Sequence, residues 1–246
     1  MTAPLLDLSI VIPAFNEAGR LPASLRSIAD FLASTTLAWE VRVVDDGSTD
    51  ETCGTVESEA AREPRIVLQR EPHRGKGGAV RAGMLASTAR LRFLCDADLS
   101  MPIEELDRFL RLVPVSADVA IGSREGEGAQ RIDEPARRHT LGRGFNGFVR
   151  AVAVQDFQDT QCGFKMFSGA AADTIFTHVT IDGWAFDVES LFLARRFGLR
   201  IAVVPITWRH DKNSRVSPFW DAIRMARDVI GIRWRAIRGH YPKPKT

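Results

Sequence analysis

The chain has 246 residues, 45% hydrophobic and 26% charged, which suits one substantial core and excludes an intrinsically disordered protein. Its formal charge of +2 hides a basic end, because residues 209–246 carry ten Lys and Arg against three Asp; this excludes nucleic-acid binding across the whole domain and leaves a solvated face or one local anionic partner. Three cysteines without CxxC spacing exclude a disulfide framework, and no run of 18 apolar residues reads as a membrane span.

Met1 to Phe15 lacks a basic leader and carries Asp7 and Pro13, so it does not read as a signal peptide. Leu8–Ile12 is a short apolar run stopped by Pro13 and predicts a buried strand. Leu21, Leu25, Ile28 and Leu32 then recur at helical spacing. Glu40–Asp45 predicts a second strand that ends in the turn Asp46-Gly47-Ser48, followed by a helix from Thr49 to Ala61. Further strands are expected at Ile66–Gln69, Arg92–Asp96 and Val119–Gly122, with helices over Gly78–Thr88 and from Pro102 to Val113. Such alternation predicts an α/β fold, a mostly parallel sheet flanked by helices, with ligand loops at the carboxyl ends of the strands.

Beyond Gly122 the pattern loosens into a charged loop over Arg124–Pro135 and an amphipathic helix over Arg137–Val154. A strand over Asp159–Phe167, a helix over Phe186–Phe197 and a strand over Ile201–Thr207 follow. The expected division is a catalytic domain over 1–215 and a basic amphipathic helix with a tail over 216–246. In that helix Phe219, Ile223, Ala226, Ile230, Trp234 and Ile237 share one side, while Arg224, Arg227, Arg235 and Arg238 favour another. The stripe can lie in a membrane interface or pack on the catalytic domain.

Asp96 and Asp98 stand at a strand end, where paired carboxylates either cap the next helix or offer hard oxygen ligands to Mg2+ or Mn2+, with a diphosphate supplying the rest. Two more strand ends, Pro13–Glu17 and Asp45–Asp50, are set to meet the same crevice. In Arg74-Gly-Lys-Gly-Gly78 the backbone N–H groups and Lys76 can approach phosphate, or the segment is a plain turn. Neither a Walker P-loop nor a dinucleotide-binding G-x-G-x-x-G is present. Trp184 sits in a glycine-led turn into a helix, from which Asp187 and Glu189 can reach sugar hydroxyls. Cys162 lacks a paired histidine and reads as a small buried side chain.

Taken in order, Val11–Glu17, Val43–Asp50, Arg74–Arg81, Asp96-Ala97-Asp98, Gly122-Ser123-Arg124, Asp159–Lys165 and Trp184–Glu189 resemble the inverting glycosyltransferases of family 2. The last two blocks are similar to those of the branch that glucosylates polyprenyl and dolichyl phosphates. The resemblance implies a GT-A nucleotide-diphospho-sugar transferase fold, UDP-glucose as donor and Mg2+ or Mn2+ on Asp96 and Asp98. It implies a nucleotide pocket lined by Pro13, Phe15, Glu17 and Asp46, and a donor-covering loop with Arg215. Arg124 and Arg138 would hold the acceptor phosphate, while Asp159 would position Lys165, Arg124 or the sugar, or serve structure alone. Gly142 departs from the serine of related mannose-phosphate synthases, and His210 is a weak candidate for a general base.

The expected location is the cytoplasmic face of a membrane, held peripherally by its surface or by a membrane-protein partner. A GDP-mannose-dependent enzyme, a transferase with a soluble acceptor, a nucleotidyltransferase and a silent nucleotide-sugar-binding subunit are the alternatives.

Overall fold

The computed structural model describes residues 6–113, 115–134, 144, 146–209 and 220–242. Its centre is a seven-stranded sheet built from β1 (Leu8–Ala14), β2 (Trp39–Asp46), β3 (Ile66–Glu71), β4 (Leu91–Leu94), β5 (Val119–Ser123), β7 (Lys165–Ser168) and β8 (Ile201–Pro205), in the order β3-β2-β1-β4-β7-β5-β8. Every neighbouring pair is parallel except those of β7, which runs against both β4 and β5. Reversal places the first residue of β7, Lys165, opposite Leu94 at the carboxyl end of β4. A small parallel pair, β6 (Gln130–Ile132) and β9 (Thr207–Arg209), stands apart.

Alternation along the strands divides the core in two. Ile10 and Ile12 of β1 and Phe93 of β4 face one layer, where α1 (Leu21–Ala33) presents Leu21, Leu25, Ile28 and Leu32 and α4 (Leu106–Leu112) presents Phe109. Val11, Leu94, Ile121 and Phe167 face the other. That side is covered by α3 (Lys76–Ala86), α6 (Gly169–Phe176), α7 (Phe186–Arg196) and α8 (Trp220–Ile237), while α2 (Thr52–Ala60) packs beside β3 and α1. Residues 146–152 form a further helix, α5; the rest of the helix expected over Arg137–Val154 lies largely outside the described residues.

Three expectations need correction. The strand expected over Asp159–Phe167 begins only at Lys165, because Asp159–Phe164 is a loop that bonds to β5 only through the Phe164 carbonyl, which accepts from Gly122 N–H, while Asp159 and Cys162 bond to Arg124 and Lys165 at the crevice. The strand expected over Ile201–Thr207 divides at Ile206 into β8 and β9, which join different sheets. The helix Gly169–Phe176 was not anticipated; Ser168 caps it, its hydroxyl accepting from the Ala171 N–H.

Candidate active site

The carboxyl ends of β1, β2, β4 and β5 and the reversed start of β7 open on one edge of the sheet. At the β1 end Asn16 takes a left-handed backbone, φ 55°, and its Oδ1 accepts from Thr49 and Asp50 N–H at 2.8 and 3.2 Å. This ties the first loop to the turn after β2. Glu17 donates its N–H to the Thr52 hydroxyl and lies 3.5 Å from Arg20. Phe15 stacks on His73 with ring centroids 4.4 Å apart. The short segment between β3 and the glycine-rich turn carries no sequence signal that would single His73 out.

The two acids after β2 have internal duties. Asp45 accepts from the Ser48 N–H, closing the turn. Asp46 is buried and accepts from Arg74 and Gly75 N–H, each at 2.9 Å, with His73 Nδ1 at 2.8 Å. Gly78 N–H is likewise taken, by the Asp182 carbonyl. The expectation that this turn offers its backbone to phosphate is therefore corrected at these three groups. Gly75 has φ +120°, and a β-carbon there would lie 2.6 Å from the Asp182 oxygen, so the turn requires glycine.

From the start of α3, Lys76 reaches over the crevice to stand 2.6 Å from Asp96 Oδ1 and 5.2 Å from the centre of the Trp184 ring. Burial pulls its pKa down, but Asp96, Asp187 and Asp98 together hold the ammonium above its ordinary value. Asp98 accepts from the Ser100 N–H at 3.0 Å. Burial, followed by the charge of Asp96, raises its pKa. Gly163 presses on this pair from the loop before β7: a β-carbon on it would overlap the Asp96 carboxylate.

No group of three or more His, Cys, Asp or Glu that could hold a metal occurs among the described residues. The donor set at the crevice is two carboxylates of like charge, with the Lys76 ammonium on one of them. That set fits a hard divalent cation whose remaining ligands come from a diphosphate.

On the far side of the crevice two ion pairs are buried. Lys165 Nζ donates to Asp187 Oδ1 at 2.6 Å and to the Cys162 carbonyl at 2.5 Å. Burial raises the Asp187 pKa, against the pull of Lys165 and Lys76. Arg124 meets Asp159 through Nε at 2.7 Å and Nη2 at 2.8 Å, and its backbone N–H donates to the same carboxylate. Although burial opposes it, Arg124 lowers the Asp159 pKa to about 2. Arg131, which the sequence reading passed over, donates to the Arg124 carbonyl and pairs with Glu125 and Glu134.

Trp184 is 37% exposed over Lys76, and Asp187 faces inward to Lys165. Glu189 departs from expectation. Its carboxylate is fully buried and accepts from Thr180 N–H and hydroxyl, Ile181 N–H and the Tyr241 hydroxyl, so it braces the turn ahead of α7 instead of facing a sugar. Pro13 lies within β1, paired with Val44. Cys162 is buried, and burial raises its thiol pKa to about 12, in keeping with a packing role. Arg138, Gly142, His210 and Arg215 lie outside the described residues.

Residues 9–176 match glycosyl transferase family 2. The chain is 34% identical over 246 residues to the dolichyl-phosphate beta-glucosyltransferase of Dictyostelium discoideum, covering 94% of this chain and 75% of the relative. To the Homo sapiens protein of the same name it is 32% identical over 263 residues, covering 99% and 80%. Among solved structures, glucosyl-3-phosphoglycerate synthase from Mycobacterium tuberculosis, with Mn2+, UDP-glucose and phosphoglyceric acid, superposes with TM-score 0.68 at 19% identity, covering 97% of this chain and 81% of that one. Mannosyl-3-phosphoglycerate synthase from Rubrobacter xylanophilus gives 0.66 at 16%, covering 96% and 76%. These structural likenesses speak for the GT-A fold alone. With most of its length inside the family match and relatives above 30% identity along nearly all of it, the chain belongs to glycosyl transferase family 2 and is an enzyme of GT-A fold.

Proposed function

We propose that the chain transfers glucose from UDP-glucose to a polyprenyl or dolichyl phosphate, with inversion, giving a β-linked lipid phosphoglucose and UDP. The observation that carries this reading is the meeting, at one sheet edge, of the Asp96 and Asp98 pair with Lys76, Lys165 and Arg124. Two mutually repelling phosphates need such a set of cations, and the acids need a metal. The relatives named dolichyl-phosphate beta-glucosyltransferase support the acceptor and the sugar. The fold neighbour solved with Mn2+ and UDP-glucose supports the donor and the ion.

A phosphate monoester, with a second pKa of about 6, brings an ionised nucleophile of its own. Its oxygen forms the new bond to C1 of glucose on the face opposite the leaving group. The old bond from C1 to the diphosphate breaks, its electron pair leaves with UDP, and no proton has to be removed. What the protein supplies is alignment. Asp96 and Asp98 would hold Mg2+ or Mn2+, which when bound neutralises the departing diphosphate. Lys76 adds a positive charge beside that position, and Trp184 offers a flat apolar plate next to it. Arg124 is fixed through Nε and Nη2 by Asp159, and its guanidinium would hold the acceptor phosphate through Nη1. The chain works peripherally at the cytoplasmic face of a membrane, where a lipid phosphate presents its head group.

Incubation with polyprenyl phosphate, Mg2+ or Mn2+, and labelled UDP-glucose or GDP-mannose tests the reading. Lipid-linked glucose is expected from UDP-glucose, and Asp98→Ala should abolish it while the circular-dichroism spectrum stays unchanged. Lipid-linked mannose from GDP-mannose alone would overturn the choice of donor. Nucleotide binding without transfer from any donor would favour a silent subunit.

A further inference from the structure

Helix α8 has two apolar stripes on opposite sides. Met225, Val229 and Ile232 are buried in the second core layer. Ile223, Ile230, Trp234 and Ile237 follow at intervals of seven, four and three residues and line the other side, exposed by 49, 55, 53 and 79%. A set of large side chains this open, in line on one helix, calls for a covering surface.

Charge says which one. Arg224, Arg227, Arg233 and Arg238 are exposed along the flanks of the outward stripe, and the Arg238 guanidinium lies 3.4 Å above the Trp234 ring. Arg227 is 3.5 Å from Asp228. Beside the helix a hollow of about 400 Å³ continues the basic surface, bounded by Val152, Phe192, Arg195, Arg196 and Arg233. There Arg195 meets the exposed Asp156, and Arg196 donates to the Pro242 carbonyl. Apolar side chains ringed by arginines, with a basic hollow alongside, match a bilayer interface that carries anionic head groups. No described helix is long and apolar enough to cross a membrane, so the contact is one of lying on the surface.

We infer that the outward face of α8 and the adjoining arginine-lined hollow form a docking surface for an anionic lipid bilayer, and that this docking sets the position of the crevice. The inward side of the helix supplies the linkage. Met225 Sδ lies 3.8 Å from Gln161 Nε2, in the loop that carries Asp159 and Gly163. Asp228 Oδ2 lies 3.9 Å from the place a β-carbon on Gly183 would take, beside Trp184. The same helix that meets lipid thus borders both loops at the crevice.

Flotation of the full chain with vesicles tests this without donor or acceptor, so a failure of the glucosyl-transfer reading leaves the result interpretable. The chain should float with phosphatidylcholine vesicles containing about a quarter phosphatidylglycerol, and bind pure phosphatidylcholine at least about tenfold less. Ile230→Ser with Trp234→Ser should lower anionic-vesicle binding about tenfold or more. Arg195→Gln with Arg233→Gln should remove most of the preference for anionic vesicles. Circular dichroism and UDP binding serve as checks of folding for both variants. Equal flotation of the serine variant and the parent would overturn the inference. So would equal binding to both vesicle types, or a parent dimer that the serine variant splits while vesicle binding is unchanged.

Discussion

The Lys76 ammonium, 2.6 Å from Asp96 Oδ1, occupies the neighbourhood in which a cation relieves the acidic pair. A metal arriving before the nucleotide has to compete with it for Asp96, whereas a bound diphosphate offers Lys76 a new anionic partner. Lys76→Met is therefore expected to strengthen Mn2+ binding without nucleotide by about tenfold, a difference of about 1.4 kcal/mol, and to weaken UDP-glucose binding. Calorimetric titration measures both. An unchanged affinity for Mn2+ would show that the ammonium does not compete.

Gly163 has no space for a side chain against Asp96. In Gly163→Ala the loop or the carboxylate must shift, at an expected cost of about 1–3 kcal/mol in urea unfolding. Loss of Mn2+ binding should accompany it. A variant that binds Mn2+ normally would mean the loop yields without moving Asp96.

Lys165 and Asp187 are both buried and hydrogen-bonded to each other. Removing the ammonium alone strands a carboxylate, so Lys165→Met should destabilise by about 3–5 kcal/mol, and adding Asp187→Leu should recover most of that. Burial raises the Asp187 pKa, and the loss of Lys165 removes its strongest opposition. A folded-state pKa above the unfolded one means that the folded single variant holds the extra proton and loses stability as pH rises. Urea midpoints for Lys165→Met should thus fall as pH rises above the ordinary aspartate value of about 3.9.

Asp159 shows the opposite sign. Arg124 holds its pKa at about 2, below the ordinary value of about 3.9, so the pair stabilises the fold fully above about pH 4 and loses that contribution as pH falls towards 2. Asp159→Asn should be less stable than the parent near neutrality by about 2 kcal/mol or more, because it also leaves Arg124 underpaired. The gap should narrow on acidification. Thermal melts from pH 7 to 3 provide the measurement, and a gap constant with pH would remove the ion pair as its cause.

Much of the sheet is legible in the sequence because β1, β2 and β5 are short apolar runs closed by turn residues, a signal local to each strand. The positions of Asp96 and Asp98 follow from the same logic. β7 is different: Lys165–Ser168 spans four residues, and its direction depends on pairing with β4 and β5, which are distant in the chain. The destination of a carboxylate is equally non-local. Glu189 and Asp187 are two residues apart, yet one braces Thr180 and the other holds Lys165. In α8 both stripes have helical spacing, so periodicity alone does not say which side faces the core.

The charged pairs also divide along the chain in a way that matters for recombination. Lys76 and Asp96 both precede the turn at residues 115–116, whereas Arg124 with Asp159 and Lys165 with Asp187 both follow it. A chimera joined there with a relative inherits each of these pairs from a single parent. Among the seams left to match are the ladder between β4 and β7, the close fit of Gly163 to Asp96 and of Gly75 to Asp182, Lys76 over the Trp184 ring, and the contacts of Arg81 with Asp182 and Arg92 with Asp173. Exchange of the second half is thereby a problem of fitting backbones, tight glycine positions and a set of single side-chain contacts, with these three ion pairs carried over whole.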